Sequence, residues 1–246
     1  MQALPFVPRV LGFQAIRGSG KDTAFAILSD MTPITRLAFA DKLYDEVSAA
    51  FGCTPADLQH RDTKETPQAR FACQQCSNDE FVEVFLRLHP DHTPATPQSP
   101  RLILQYWGSE YRRNLYGSSY WTDPLLQQIR SSPFQRFVVT DTRFPNEAGL
   151  ISGVPPEMHY KFPLEHPIST DVLKGLPDGA MARIIRPDLL EQYLALPPNK
   201  QHASETSLLN WPVHPSLTWV NPFNQQDYFR AQIKKIAALL NEHPLS

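Results

Sequence analysis

A glycine-rich turn between a predicted strand and a predicted helix constrains this chain more than any other feature. Residues 9–14 form a short apolar run, and residues 15–23 read AIRGSGKDT before a helical stretch that extends to Asp30. In such a setting the glycines let backbone N–H groups point inward at an anion, and the helix N-terminus adds the positive end of its dipole. The pattern therefore predicts a phosphate-binding loop, in which Lys21 supplies a mobile positive charge.

The loop differs from the common G-x-x-x-x-G-K-[ST] pattern at two positions. Ala15 stands in place of the first glycine, and Asp22 follows the lysine where a hydroxyl residue is usual, although Thr23 comes next. The alternative interpretation is a plain turn with a lysine that faces solvent. We expect the loop to hold the phosphates of ATP, and Asp22 and Thr23 to contribute to a Mg²⁺ site. The predicted ATP-binding residues are Arg17, Gly18, Ser19, Gly20, Lys21, Asp22 and Thr23.

The order of the predicted elements favours an α/β fold, with a P-loop NTPase-type parallel sheet flanked by helices. Strands are predicted at 9–14, 34–39, 136–141, 157–162 and 217–220. Helices are predicted at 22–30, 41–51, 79–88, 101–116 and 121–129, after Pro145, and at 225–241. We expect a single domain over 1–246, with a helical substrate-binding insertion at 53–132 and a proline-rich lid or loop insertion at 163–200.

Composition limits the classes of protein to which the chain can belong. It has 246 residues and a formal net charge of −2, which argues against a general nucleic-acid binder. The first residues lack the pattern of a signal peptide, and no run approaches the roughly 18 apolar residues that span a membrane. Three cysteines, an odd number, fit a reducing compartment. We therefore expect a cytoplasmic protein.

Cys73 and Cys76 form a single C-x-x-C pair. A structural zinc site requires four ligands, and neither a second pair nor histidines at a matching spacing accompany this one. A redox motif would follow a strand and open a helix, and neither is predicted here. The pattern favours plain free cysteines, with zinc binding and redox chemistry as the alternatives.

A second charged position follows the clearest buried strand, RFVVTD at 136–141. This strand places Asp141 at its carboxyl end, where P-loop proteins bind the nucleotide and its Mg²⁺. The alternative role is an aspartate that caps the following turn. Arg143, two residues later, could clamp a phosphate with two hydrogen bonds or pair with Glu147 one helical turn away.

Several segments, in the same order along the chain, resemble the deoxynucleoside monophosphate kinases of bacteriophages. The matching segments are GSGKDT (18–23), LAFADKLYDEVSAAFG (37–52), RLILQYWGSEYRR (101–113), VVTDTRFPNEAGLI (138–151) and HASETSL (202–208). The resemblance implies a P-loop core with a substrate-binding insertion, MgATP as donor, a deoxynucleoside monophosphate as acceptor, and a homodimer. It also implies a viral protein that acts in the host cytoplasm.

The motifs and the resemblance together assign roles to individual residues. The catalytic candidates are Lys21, Asp141 and Arg143, and the candidate Mg²⁺ ligands are Asp22, Thr23 and Asp141. The candidate substrate-binding residues are Arg36, Asp41, Lys42, Gln105, Trp107, Glu110, Arg112, Arg113, Arg143 and Glu205. The pair Tyr106-Trp107 departs from the family, which more often has smaller aliphatic residues before this glycine.

The acceptor itself explains part of this set. A monophosphate is a dianion that arginines must meet, and the candidates are Arg36, Arg112, Arg113 and Arg143, although Arg113 also fits a solvated helix face. A base needs a stacking face, for which Trp107, Tyr111 and Tyr120 are candidates, with core packing as the alternative for each. A closing segment would exclude water, and Arg183 and Arg186 are expected in such a lid.

Two other functions stay open at this point. A related P-loop kinase could phosphorylate a hydroxymethylated pyrimidine (5-hydroxymethyluracil) within DNA, which would require an open basic groove. The near-neutral charge argues mildly against this acceptor. A non-catalytic nucleotide-binding module with a decayed loop would be expected to lose a charge among Lys21, Asp141 and Arg143, and all three are present.

Overall fold

The chain folds as two units that differ in secondary structure. The computed structural model describes residues 6–60, 62–153, 176, 178–197, 201 and 207–245. The first unit, called the sheet unit below, comprises Met1–Ala38 and Leu126–Ser246, and the second, called the helical unit, is Phe39–Leu125. The predicted insertion at 53–132 lies mostly in the helical unit, which begins one helix earlier because Val47 and Phe51 of that helix join its core.

Ten helices are present among the described residues. They are α1 (Lys21–Ser29), α2 (Phe39–Phe51), α3 (Pro55–Gln59), α4 (Asp79–Leu88), α5 (Pro100–Tyr106), α6 (Asn114–Tyr116), α7 (Thr122–Arg130), α8 (Pro145–Ser152), α9 (Pro187–Leu194) and α10 (Gln226–Glu242). None of them is long and apolar enough to cross a membrane. The boundaries predicted for α4 match the observed ones, and Asn78 caps this helix by accepting a hydrogen bond from the N–H of Phe81 at 2.8 Å.

Five parallel strands form the sheet. They are β1 (Val10–Gln14), β2 (Thr35–Leu37), β3 (Phe137–Val139), β4 (Gly179–Ile185) and β5 (Thr218–Val220). Their spatial order is β2-β3-β1-β4-β5, so the first strand lies in the centre. All five residues of β1 are buried, as expected for a strand with helices on both faces. The predicted P-loop NTPase-type α/β fold is confirmed.

Helix α10 covers one face of the sheet with the apolar residues that its periodicity predicts. Phe229, Ile233, Ile236 and Leu240 are all buried, and the helix packs beside α1. At the same level Phe13 of β1 meets Trp219 of β5 edge to face, with ring centroids 5.6 Å apart. The buried guanidinium of Arg136 donates hydrogen bonds to the carbonyls of Pro8, Leu240 and His243.

The sequence did not predict the helices α3 and α9 or the strand β4. Strand β4 lies within 163–200, where the proline content had suggested only a lid or loop insertion. Its sequence, GAMARII, is short on strongly strand-forming residues and contains Arg183, so its apolar character is weak. Arg183 lies within this central strand and Arg186 directly follows it, so neither belongs to a loop insertion. The strand predicted at 157–162 lies outside the described residues.

The helical unit has its own aromatic core. The ring of Phe81 lies 4.6 Å from that of Trp107 and 5.6 Å from that of Tyr111. The helix predicted at 101–116 is present as α5 and α6, joined without a break by a π-helical segment at Trp107–Arg113. A π-helical turn widens the helix and turns its side chains relative to a regular α-helix, and such turns often occur at functional sites.

Candidate functional site

The order of the strands places a crevice at the carboxyl end of β1. β3 lies on one side of β1 and β4 on the other, so the connections on its two sides run in opposite directions across the sheet. In open α/β sheets such a reversal leaves room for a ligand beyond the carboxyl ends of the strands. The glycine-rich loop follows β1 directly, so the fold places the predicted phosphate loop in this crevice.

The loop has the backbone conformation that its glycines allow. Gly18 and Gly20 have φ values of 83° and 102°, a region that side chains with a Cβ atom rarely adopt. Gly20 is the N-cap of α1 and provides no capping side chain. The first N–H groups of α1 are therefore directed toward the loop without a side-chain acceptor at the cap, the arrangement that binds anions at helix N-termini.

Lys21 faces the loop. Its Nζ atom donates hydrogen bonds to the carbonyls of Ala15 at 2.9 Å and Ile16 at 3.5 Å. The ammonium group therefore lies across the loop from which it extends, within reach of an anion held by the same loop. Arg17, also predicted to bind ATP, lies at the tip of the loop with an exposed side chain.

A cavity of about 120 Å³ adjoins the loop. Its lining includes three arginines, Arg143, Arg183 and Arg186. Four buried polar atoms of lining residues have no hydrogen-bond partner within the described part of the chain, namely Gln14 Oε1, Ser19 Oγ, Thr142 Oγ1 and Arg183 Nε. A buried polar atom without a partner costs about 1–3 kcal/mol, so this concentration indicates a place that a polar or anionic ligand, or water, occupies.

Gln14 and Arg183 also shape the cavity wall. They are register partners in neighbouring strands, Gln14 at the end of β1 and Arg183 in β4. Gln14 Nε2 donates to the carbonyl of Leu208, and Arg183 Nη2 donates to the carbonyl of Trp211. Burial lowers the pKa of Arg183 below its usual value. The sequence signal for a role of Arg183 in the cavity wall is a charged residue inside a strand. Sequence analysis did not identify this role because it did not predict β4.

Asp141 and Arg143 follow β3 at the same edge of the sheet. Asp141 is the second residue after the strand, and Arg143 lines the cavity. Glu147, which is 4% exposed, accepts hydrogen bonds from the backbone N–H groups of Arg143 at 2.8 Å and Phe144 at 3.1 Å. The carboxylate therefore fixes the turn that carries Arg143 and starts α8.

The three predicted Mg²⁺ ligands offer carboxylate and hydroxyl oxygens as donor atoms. Asp22 and Thr23 lie in the first turn of α1, and Asp141 lies beyond β3. The part of the chain that the structure describes contains no group of three or more His, Cys, Asp or Glu side chains arranged for a metal. Mg²⁺ needs only one or two protein oxygens when phosphates and water complete its shell, so carboxylate and hydroxyl donors at this edge fit the ion.

The helical unit contains a hydrogen-bond network around Glu46. This carboxylate accepts from Trp107 Nε1 at 2.9 Å, Arg112 Nε at 2.7 Å and the hydroxyl of Tyr120 at 2.5 Å. The Arg112 guanidinium also lies 4.3–5.6 Å from the ring centroids of Trp107, Tyr111, Tyr116 and Tyr120. Glu46 was not among the predicted site residues, since its spacing on α2 resembles that of an ordinary surface glutamate.

The network changes the pKa of the carboxyl at its centre. Burial alone would raise the pKa of Glu46, but the hydrogen bonds from Tyr120, Trp107 and Arg112 and the charge of Arg112 outweigh it. The pKa of Glu46 therefore lies below its ordinary value of 4.5. Burial and the bond to Glu46 raise the pKa of Tyr120 to about 12. Glu46 is thus held ionised and Tyr120 held neutral at physiological pH.

Three predicted substrate-binding residues are part of this network. Trp107 is 1% exposed, so both faces of its ring are covered and none is open to a base in this conformation. Arg112 pairs with Glu46, and its side chain is 15% exposed. Lys42 lies over the ring of Tyr120 at 4.0 Å and 3.7 Å from Glu46. These three residues are held by Glu46 and by the rings around it.

The other predicted substrate-binding residues are spread over several elements. Asp41 is in the first turn of α2, and Arg36 is exposed in β2. Gln105 is exposed near the end of α5, and Glu110 accepts a hydrogen bond from Asn114 Nδ2 at 3.0 Å. The remaining two are Arg113, in the π-helical segment, and Glu205, which lies outside the described residues.

The three cysteines are free thiols. Burial raises the pKa of Cys73 and Cys53 and raises that of Cys76 to about 11. A thiol with a raised pKa is a poor nucleophile and a poor metal ligand. Cys73 and Cys76 lie at the start of and just after a short 3₁₀ turn rather than between a strand and a helix. Their surroundings fit the prediction of plain free cysteines.

Comparison with known proteins adds an independent observation. No family model matches the chain. A deoxynucleoside-5'-monophosphate kinase of Escherichia phage T5 is 27% identical over 212 residues, which cover 66% of this chain and 84% of that protein. The resemblance found in the sequence motifs and this relative agree with the parallel sheet and its loop. The chain is therefore related to a phage nucleotide kinase, and it is an enzyme, a phosphotransferase of the nucleoside monophosphate kinase type.

Proposed function

We propose that the protein transfers the γ-phosphoryl group of ATP to a deoxynucleoside monophosphate and releases ADP and the diphosphate. The observation that carries this proposal is the pairing of a glycine-rich loop, crossed by Lys21, with a cavity lined by three arginines and by unpartnered polar atoms. A phosphoryl-transfer site needs positive charge and fixed geometry rather than a covalent catalyst. The relative from phage T5 carries the matching activity in its name.

The loop is assigned to the donor. The β- and γ-phosphates of ATP would accept hydrogen bonds from the backbone N–H groups of residues 18–23, with Lys21 released from its loop carbonyls to contact them. Mg²⁺ would be held by Asp141 and Thr23, with Asp22 beside them, and it supplies charge neutralisation for the phosphates. Phe223, 64% exposed with the Arg186 guanidinium 5.4 Å from its ring centre, offers a stacking surface for adenine.

The cavity arginines are assigned to the phosphoryl group in transit. In the reaction an oxygen of the acceptor phosphate forms a bond to the γ-phosphorus, and the bond from that phosphorus to the β–γ bridging oxygen breaks. Negative charge moves to the leaving oxygen, and we assign its stabilisation to the guanidinium groups of Arg143 and Arg183, which line the cavity. Arg183 is fixed in β4 and needs little reorganisation to do so.

The acceptor roles in the helical unit rest on the resemblance alone. They concern Asp41, Lys42, Gln105, Glu110 and Arg113, with Arg36 and Glu205 elsewhere in the chain. Trp107 and Arg112, which are packed and paired, would act by holding the shape of the helix that carries Gln105 and Glu110.

The test is ADP release from MgATP, measured with each deoxynucleoside monophosphate in turn and with duplex DNA that contains normal or hydroxymethylated pyrimidines. Turnover with one or more monophosphates, lost in Lys21→Ala and kept in Lys234→Ala at an exposed site on α10, would support the proposal. Turnover with modified DNA alone would assign the acceptor to the polymer instead. Tight ATP binding with no turnover on any acceptor would identify a non-catalytic binding module.

A further inference from the structure

Asn221 connects the last strand of the sheet to the phosphate loop. It directly follows β5, and its backbone N–H donates to the carbonyl of Ile185 at 2.7 Å, which continues the pairing of β5 with β4. Its side-chain Nδ2 donates to the carbonyl of Ser19 at 2.9 Å. The loop is therefore hydrogen-bonded to a residue 202 positions later in the chain.

The position of Asn221 is itself fixed from α10. β5 is the end strand of the sheet among the described residues, so within them one of its edges has no neighbouring strand. Gln232 occupies this edge, since its side-chain amide accepts from the N–H of Val220 at 2.9 Å and donates to the carbonyl of Val220 at 2.7 Å. Through these two bonds Gln232 pairs with the edge of β5 at Val220, as a neighbouring strand would. The backbone is therefore held in place at the residue before Asn221.

The bond from Asn221 determines which way the loop peptide points. In a trans peptide the carbonyl and the following N–H point in opposite directions, so a Ser19 carbonyl held by Asn221 directs the N–H of Gly20 to the other side. Ser19 is fully buried, and a Cβ atom on Gly20 would come within 2.6 Å of Nδ2.

An anion-binding loop requires this arrangement. Its N–H groups must face the anion, and a carbonyl oxygen that turned inward would repel it. We propose that Asn221 is a positioning residue for the di- and triphosphate groups of nucleotides, and that Gln232 holds it in place. The inference rests on the proposed function, since it assumes that the loop binds nucleotide phosphates. Neither residue belongs to the motifs of the sequence resemblance.

The test is calorimetric binding of inorganic tripolyphosphate, and of ADP with Mg²⁺, to the full chain. Asn221→Leu keeps the approximate size and shape of the side chain but removes the hydrogen-bond donor to Ser19. We expect the affinity for tripolyphosphate to fall on the order of tenfold, because this is what the loss of one hydrogen bond costs. Gln232→Glu keeps the acceptor toward Val220 and loses the donor, so a smaller loss in the same direction is expected. Gln225→Ala, at an exposed glutamine in the same turn, should bind as the unmodified protein does.

The outcomes separate this inference from the proposed function. Weaker tripolyphosphate binding by folded Asn221→Leu, with a rise in KM for ATP that exceeds any rise in KM for the acceptor, would support the role of Asn221. Binding equal to that of the unmodified protein would overturn it and leave the proposed function intact. If the unmodified protein bound neither tripolyphosphate nor ADP, the proposed function would fail first. Should Asn221→Leu not fold, unchanged binding by Gln232→Glu would overturn the inference.

Discussion

The polar cluster at the phosphate loop and the one around Glu46 treat buried polar groups in opposite ways. Around the phosphate loop, Gln14, Ser19, Thr142 and Arg183 each leave a buried polar atom without a partner among the described residues. In the helical unit, Glu46 accepts three side-chain hydrogen bonds, and the rings around it pack against the arginine that it binds. One cluster is incomplete without a ligand, and the other is complete without one.

This difference separates a binding role from a structural one more clearly than residue type does. Arginine, tryptophan and glutamate are all plausible in a nucleotide pocket, and sequence alone treats Arg112 and Arg183 alike. Buried hydrogen-bonding capacity that is already used contributes to stability, whereas unused capacity lowers stability until a ligand arrives. Substitutions should therefore affect activity in the cluster at the phosphate loop and stability in the cluster around Glu46.

The largest effect is expected at Lys21. Lys21→Ala should lower kcat/KM by a factor on the order of 10³, because the lysine stabilises charge that develops on the transferring phosphoryl group. Its free energy of unfolding should change by less than about 1 kcal/mol, since the hydrogen bonds of the ammonium to Ala15 and Ile16 are local contacts within the loop. Steady-state kinetics and urea unfolding would check both parts. A strongly destabilised Lys21→Ala would contradict the contrast between the cluster at the phosphate loop and the cluster around Glu46.

The next largest effect is expected on the free energy of unfolding when Glu46 is replaced. Glu46→Ala should lower the free energy of unfolding of the helical unit by about 3 kcal/mol, because it leaves the partly buried Arg112 without its carboxylate. Glu83→Ala, at an exposed glutamate on α4, should change stability by less than about 0.5 kcal/mol. Denaturant unfolding, followed by tryptophan fluorescence, measures both. Equal effects of the two substitutions would show that the network is only a surface ion pair.

A smaller effect is expected from methionine substitutions of two arginines in the sheet unit, the half-buried Arg183 and the buried Arg136. Arg183→Met should lower kcat/KM by roughly 30-fold with little loss of stability, because it removes a partly unpartnered cation. Arg136→Met should lower stability by about 2 kcal/mol without changing turnover per folded molecule, because its guanidinium binds three carbonyls in the structure. Steady-state kinetics and thermal unfolding of both variants would check this. If Arg183→Met lost stability and kept its kcat/KM, Arg183 would have no catalytic role.

The smallest effect is a pH dependence centred on Glu46. Its folded-state pKa lies below 4.5, so its contribution to stability is fully present above pH 4.5 and is lost as the pH falls through the folded-state value. The stability advantage of the unmodified protein over Glu46→Gln should therefore shrink as the pH falls below 4.5. Urea midpoints of the two proteins, measured in parallel, isolate this group from other carboxylates. A constant difference over that range would show that Glu46 does not titrate there.

The sequence predicted those features that depend on local pattern. AIRGSGKDT identified the loop and its flanking elements, and a 3.6-residue period identified the buried face of α10. Sequence analysis did not predict β4, because Arg183 interrupts the apolar run and prolines lie near the strand in sequence. In the sheet, β4 nevertheless lies between β1 and β5. Long-range pairing overrides weak local preference in such strands.

The candidate site shows the same division. Lys21 and Asp141 follow from a loop and a strand end, which are local features. Glu46 and Asn221 act through partners 61 and 202 positions away, and no periodicity or motif marks either of them. The burial of Trp107 was likewise open, since an aromatic residue on a helix serves equally well as core or as a stacking surface.

The bond between Asn221 and Ser19 has a consequence for how the protein is made. Ribosomes add roughly 5–20 residues per second, so the 202 positions that separate the two residues correspond to a delay of about 10–40 s between the synthesis of the loop and that of its partner. During that interval the loop glycines are present but the peptide at Ser19 is not yet held. The nascent chain should therefore acquire affinity for nucleotide late, after α10 has emerged to place Gln232 against Val220.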